Sequence, residues 1–252
     1  MTFDVAADAY GRFMGRFSEP LAVSFLEVAE APVGGRALDV GCGPGALTAQ
    51  LVARLGDELV AAIDPSAPFL AAIRARFPGV DVREGSAEQL PFPDDHFDVT
   101  LAQLVVHFLS DPVAGLREMG RVTRPGGRVA ACVWDHAGGG SPLTTFWTAV
   151  RDLDPGAQTE SELAGARRGH LVQLFDAAGL RDLDELTLTV QVPFATADDW
   201  WQPYTLGVGP AGAYVARLSP DRREALRARC TELLPKAPFT VAASAWCVRA
   251  RA

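Results

Sequence analysis

No run of Lys and Arg occurs anywhere in the 252 residues, and 23 Lys+Arg stand against 31 Asp+Glu for a formal charge of -8. A surface of that sign repels a phosphate backbone, so nucleic acid is not an expected partner. The opening, MTFDVAADAYGRF, has no basic flank followed by an apolar region, and no uninterrupted apolar run approaches the ~18 residues of a membrane span. A soluble, cytoplasmic protein without a membrane span is expected. The cysteines Cys42, Cys132, Cys230 and Cys247 lack CxxC spacing and a nearby histidine, which argues against a zinc site and against a secreted disulfide framework. Buried reduced thiols are expected, with a thiol that binds a soft metalloid as the alternative; no metal site is assigned. Repeats and low-complexity tracts are missing as well. What is present is 48% hydrophobic residues, enough for one domain over 1–252 with a sizeable core.

From Arg36 onward, strand-like and helix-like segments alternate, the pattern of a parallel sheet with helices on both faces. RALDV leads to a helix from about Pro44 to Leu55, LVAAID to a helix through SAPFLAAIRARF, and VDVRE to a loop. FDVTLAQ precedes LVVHFLSDPVAGLREMGRVT, where Asp111 before Pro112 reads as a helix N-cap with proline in the first turn. GRVAACVW is a fifth strand; GHLVQLFDAAGL is a helix closed by Gly179; DELTLTVQVPF and FTVAASAWCVRA alternate as strands do. Between those last two strands, residues 195–238 form an insertion too long for a connecting loop. With Trp200, Trp201, Tyr204 and Tyr214 it reads as a substrate-side lid for an aromatic or lipophilic acceptor, and a helical hairpin packed on the sheet edge is the alternative.

The stretch RALDVGCGPGALTAQL holds the first chemical signal. A glycine-rich turn after the first parallel strand lets a ligand approach the backbone, and the next helix offers its free N–H groups. Gly41, Gly43 and Ala46 also satisfy G-x-G-x-x-A, the dinucleotide fingerprint, which is a weak signal by itself. Asp39 separates the readings. A carboxylate inside the apolar run is costly unless it organises the turn or receives an ammonium group, and it would repel a pyrophosphate.

At these residues the chain resembles the class I S-adenosylmethionine-dependent methyltransferases, in the type 11 branch similar to ubiquinone/menaquinone-biosynthesis enzymes. LDVGCGPG matches their first motif, and three further motifs follow in order over 10–134. The resemblance implies a Rossmann-like, seven-stranded, mostly parallel sheet with an antiparallel last strand, and S-adenosylmethionine as cofactor with S-adenosylhomocysteine as product. It implies cofactor contacts at Asp39, Gly41, Cys42, Gly43 and Gly45 in the turn, and at Asp64 on the ribose hydroxyls. Pro65 and Ser66 then pass the adenine, with Ser86, Ala87 and Glu88 in the next turn, and Gln103 and Leu104 lie near the sulfonium. Ser86 departs from the family, which usually has Asp there; serine is shorter and uncharged, although its hydroxyl can still accept a hydrogen bond. YGRFMGRFSEPLA resembles a segment that folds over the cofactor in relatives. An N-terminal helical cover over 1–33 follows, with Tyr10 and Arg16 closing the site and Arg16 pairing with the methionyl carboxylate; a plain amphipathic helix is the alternative.

Methyl transfer needs alignment of acceptor and methyl carbon, exclusion of water and, for an acidic acceptor, a base. His107 and His136 follow the ends of strands four and five, the edge where ligands bind in such sheets, and are the catalytic candidates; each can instead be structural or face solvent. Asp135 is a weaker candidate. His96 is placed at the opposite edge, in solvent, and His170 reads as structural. The expected activity is methyl transfer to O, N or C of a small molecule. A binding protein or cyclase of the same fold is the second reading. A nicotinamide-dependent dehydrogenase is the third, disfavoured by Asp39 and by the lack of a Tyr/Lys or His constellation for hydride chemistry.

Overall fold

A computed structural model of the chain describes residues 7–252. The first six residues of the expected N-terminal cover lie outside the described residues. Seven strands form one sheet in the order β3-β2-β1-β4-β5-β7-β6. They are β1 (Ala37–Val40), β2 (Val60–Asp64), β3 (Asp81–Glu84), β4 (Phe97–Gln103), β5 (Thr123–Trp134), β6 (Arg181–Phe194) and β7 (Phe239–Arg251). β1 pairs in parallel with β2 and β4, β2 with β3, and β4 with β5; β7 runs antiparallel between β5 and β6. The fold is thus the Rossmann-like sheet implied by the resemblance, and the chain reverses direction only at β7.

Alternation along the central strands sorts the two faces. Ala130, Cys132 and Trp134 point into a core shared with the N-terminal helices, whereas Val129, Ala131 and Val133 point to the opposite core. The first core includes residues of α2 (Arg16–Ala29), α3 (Ala46–Leu55), α4 (Ala67–Arg76), α6 (Thr144–Leu153) and the insertion; the second includes α5 (Pro112–Val122) and α7 (His170–Ala177). α2 follows a single helical turn, α1 (Ala7–Tyr10), and a π-turn over Gly11–Gly15. The cap of α5 is as the sequence suggests: Ala114 N–H donates to Asp111 Oδ1 at 2.9 Å, and Pro112 occupies the first turn. α3 begins at Ala46 rather than Pro44, because Gly45 is left-handed at φ 96° and a helix cannot run back through it. α6 answers to no segment singled out in the sequence.

The insertion carries α8 (Ala197–Trp201), a 3-10 turn over Gln202–Leu206, α9 (Gly209–Ala216) and α10 (Pro220–Leu233). Its aromatics do not face the ligand side, contrary to expectation. Trp200, Trp201 and Tyr204 are 2%, 4% and 2% exposed, and Tyr204 stacks on Phe146 of α6 at 4.6 Å between ring centroids. Tyr214 is edge-on to Phe146 and places its hydroxyl 3.3 Å from Asp154 Oδ2. A flat ring buries more apolar area in this interhelical cluster than it would over an open cleft, so the packing keeps it. His96 also departs from expectation: it sits away from the ligand edge but is half-buried, its ring stacked beside Phe92. His170 is structural, its Nδ1 accepting from Gly165 N–H at 3.3 Å.

Candidate functional site

The C-terminal ends of β1, β2, β3 and β4 surround a cleft of about 560 Å3. Its floor is the glycine turn after β1. Gly41 and Cys42 both donate N–H to the Ile63 carbonyl, at 2.8 and 3.0 Å, which locks the turn to β2. Gly41 has φ 66°, and a Cβ there would lie 2.5 Å from Val105 Cγ2, so its need for glycine is steric. Gly43 differs: φ is 53°, and an added Cβ would meet nothing within 4 Å, which leaves its surroundings open on the cleft. Its N–H donates to Asp64 Oδ2 at 2.9 Å, and Ser66 N–H donates to Asp64 Oδ1 at 2.8 Å. Asp64 is therefore oriented by backbone before any ligand arrives. Burial raises its pKa against those two hydrogen bonds.

Asp39, the puzzling carboxylate of the first motif, receives the Thr48 hydroxyl at 2.6 Å and so ties β1 to α3. Burial pushes its pKa up to about 7, opposed by the Thr48 hydrogen bond and aided by the charge of Asp64. On the far wall, Glu88 Oε1 accepts from Ser110 N–H at 2.9 Å and Oε2 from the Ser86 hydroxyl. Burial works against ionisation of Glu88, but the hydrogen bonds from Ser86 and the backbone outweigh it and lower the pKa. The Ser86 hydroxyl is thereby committed to fixing this turn. Gln103 donates Nε2 to the Ser18 carbonyl at 2.9 Å, and its Oε1, buried on the cleft wall, has no partner among the described residues. Leu104 follows at φ 61°, an uncommon conformation for a non-glycine residue, held by its N–H to the Cys132 carbonyl at 2.9 Å. Tyr10 closes the mouth edge-on to Phe69, ring centroids 5.6 Å apart. Burial pushes the Tyr10 phenol up, with the Asp64 charge adding and Ser18 opposing.

Every residue expected at the cofactor lines this cleft except Arg16 and Gly45. Gly45 instead caps α3, where a Cβ would press to 3.2 Å from Ile73 Cγ1. Arg16 points to the insertion: Nη1 to Asp199 Oδ1 at 2.8 Å, Nη2 to the Pro193 carbonyl at 2.9 Å, and the guanidinium 4.1 Å over the Phe194 ring. A carboxylate and a carbonyl already satisfy it there, so it is not a cleft residue. His107 and His136 come together, ring centroids 5.8 Å apart, around a smaller cavity of about 40 Å3 that shares Tyr10, Leu104 and Phe108 with the cleft. Trp134, Glu160 and the stretch 208–211 also line it; of these the sequence places only 208–211 on the substrate side, as part of the 195–238 lid. Glu160 lies in a single 3-10 turn, Glu160–Glu162, and no local pattern announces it.

Asp39, Asp64 and Glu88 line the cleft, and among the described residues no Lys, Arg or His does. Such a wall suits a ligand with cationic groups and opposes a pyrophosphate. An ammonium and a sulfonium find carboxyls and the orphaned Gln103 Oε1, and the open face of Gly43 lets a chain pass close to the backbone. The residues present fit S-adenosylmethionine. Sequence comparison agrees: a methyltransferase domain family matches residues 38–131. The "Probable S-adenosylmethionine-dependent methyltransferase" of Mycolicibacterium smegmatis is 32% identical over 193 residues, 73% of this chain and 74% of that one. The chain belongs to the S-adenosylmethionine-dependent methyltransferases. Within them it falls in the class I, type 11 branch. A ubiquinone/menaquinone biosynthesis C-methyltransferase of a Shewanella species is 34% identical over 133 residues, half of each chain. The YcgJ protein of Bacillus subtilis shares the fold at TM-score 0.59 and 20% identity, covering 92% of this methyltransferase and 97% of the other chain. The methyl donor of the present chain is S-adenosylmethionine. No helix among the described residues is long and apolar enough to cross a membrane.

Proposed function

We propose that this methyltransferase acts on a small-molecule acceptor held beyond Leu104, with the cofactor in the 560 Å3 cleft. The reading is carried by how the acceptor end is closed. Phe13 and Met14 of the N-terminal cover and residues 208–211 of the insertion wall it off, which favours a compact acceptor over a polymer. Asp64 holds the ribose hydroxyls with the lone pairs left by Gly43 and Ser66, the turn Gly41–Gly43 takes the methionyl backbone, and Gln103 Oε1 with Asp39 faces the ammonium. When bound, the cofactor supplies an electrophilic methyl group on a sulfonium. The protein aligns the acceptor and excludes water, both of which are positional tasks. In this role the insertion is a cover whose 208–211 stretch, not its tryptophans, meets the acceptor.

Calorimetry with S-adenosylhomocysteine tests the assignment. Asp64→Ala removes a charge-assisted pair of contacts worth ~1.5–3 kcal/mol and is expected to weaken binding at least about tenfold. Unchanged affinity in a folded variant overturns the placement of the cofactor.

A further inference from the structure

The small cavity beyond Leu104 has a lining that the cofactor does not account for. At about 40 Å3 it admits a hydroxyl with the carbon that bears it, or one or two waters, while the body of a larger molecule would lie back in the main cleft. Three of the residues that line it carry ring nitrogens buried without a hydrogen-bond partner among the described residues: His107 Nδ1, both nitrogens of His136, and Trp134 Nε1. Leaving such groups unsatisfied forfeits their hydration with nothing in return, so a polar occupant is favoured. Neither imidazole is charged. Burial and then the neighbouring His136 hold His107 well below the usual histidine range, and burial holds His136 down at about 4. The one carboxyl among the described lining residues, Glu160, is pushed up to about 7 by burial, opposed by the Trp147 indole, which donates to its Oε2 at 2.7 Å. Among the described residues, no Lys or Arg lines the cavity.

These groups select the occupant by donor and acceptor count. A neutral imidazole offers a lone pair that needs an X–H donor, and the indole N–H needs a lone pair. A hydroxyl supplies both at a single atom. An aliphatic amine is mostly the ammonium near neutral pH, which has no lone pair for the indole and would carry a charge into a buried cavity, and an ether has no proton for the imidazole. We propose that the cavity receives the reactive hydroxyl of an alcohol or phenol, with Trp134 Nε1–H donating to its oxygen and His136 accepting its proton, which makes the enzyme an O-methyltransferase. This rests on the cofactor lying in the main cleft. In the transfer the oxygen lone pair forms the O–CH3 bond, the S–CH3 bond breaks with its electron pair staying on sulfur, and the hydroxyl proton ends on a ring nitrogen of His136. His136 is chosen over His107 because both of its nitrogens are unpartnered, so either can take the proton.

The test uses the full chain, labelled with 15N and saturated with S-adenosylhomocysteine, saturation being checked by calorimetry. Phenol is titrated in while the imidazole and indole resonances are followed; anisole, toluene and benzylamine serve as controls. Phenol is expected to shift the His136 and Trp134 Nε1 signals, and the three controls to leave them in place. Trp134→Phe removes the N–H donor together with one ring of a buried side chain, so its folding is checked by thermal melt; in the folded variant phenol binding is expected to weaken about fivefold. With S-adenosylmethionine as donor, His136→Gln is expected to lower anisole formation by about 100-fold or more while S-adenosylhomocysteine affinity stays within about twofold. Benzylamine shifting the signals more than phenol, or no phenol shift in saturated protein, overturns the proposal. Failure of S-adenosylhomocysteine to bind overturns instead the cofactor placement beneath it.

Discussion

Arg16 and Asp199, 183 positions apart, form a forked pair, Nη1 to Oδ1 at 2.8 Å and Nη2 to Oδ2 at 3.2 Å. The pair joins α2 to α8, the N-terminal cover to the insertion, on the outside of the site. Both partners are part-exposed, which keeps the pair to ~1 kcal/mol even with the guanidinium stacked on Phe194. Arg16→Ala is therefore expected to lower unfolding free energy in urea by about 1 kcal/mol and to leave cofactor affinity within about twofold. A large loss of cofactor affinity without loss of stability would return Arg16 to the cleft.

Gly41 and Gly43 have similar left-handed backbones and are expected to fail differently. At Gly41 an alanine Cβ would lie inside Val105, so Gly41→Ala is expected to destabilise the fold by ~2–4 kcal/mol, strain and overlap together. At Gly43 the same methyl group enters open space. Gly43→Ala is expected to cost only ~1 kcal/mol of stability yet to weaken the cofactor, which must pass close to that backbone. Thermal melts with and without S-adenosylhomocysteine separate the two. Equal melts for both variants would contradict the steric distinction.

Glu160 and Asp39 give the fold a pH dependence of definite sign. Each is buried and raised to about 7 from an ordinary carboxylate value, so between about pH 4.5 and 7 the unfolded chain is ionised while the folded chain keeps its proton. The stabilising contribution is complete below that window and is lost as pH rises through it. Glu160→Gln keeps an acceptor for the Trp147 indole and removes the titration. Relative to this variant, wild-type unfolding free energy is expected to fall by roughly 2–3 kcal/mol from pH 4.5 to 7.5. Parallel stability profiles would show that Glu160 is ionised in the folded protein.

Tyr204 is fully enclosed between Phe13 and Phe146, with ring centroids 4.9 and 4.6 Å away. Truncation leaves a cavity in the cluster, so Tyr204→Ala is expected to cost ~3–5 kcal/mol of stability, the range for a large buried aromatic. Acceptor KM at a temperature where the variant remains folded is expected to stay within about threefold. A selective rise in KM with unchanged stability would show that the aromatics of the insertion select the acceptor after all.

The cofactor side was legible in the sequence because its residues are local. Asp39, Gly41 and Gly43 follow one strand, Asp64 ends the next, and Gln103 and Leu104 end a third, each within a few residues of a recognisable strand-to-turn boundary. Strand ends of one parallel sheet converge by topology, so spacing along the chain translates into proximity in space. The alternation that marks β6 and β7 as strands was equally readable.

Tertiary structure alone decided which of two available partners a side chain takes. Arg16 found Asp199 rather than the cleft, and the aromatics of the insertion turned to α6, because each outcome depends on elements far apart in sequence. The same holds for Glu160, which a distant 3-10 turn brings to the wall where His107, Trp134 and His136 meet, with no motif to announce it. By itself the sequence determined the sheet, the glycine turn and the acidic cofactor edge, since backbone geometry and short-range periodicity suffice for those. Packing decided what lies opposite them, because long-range burial and charge pairing are settled only when the helices close over the sheet.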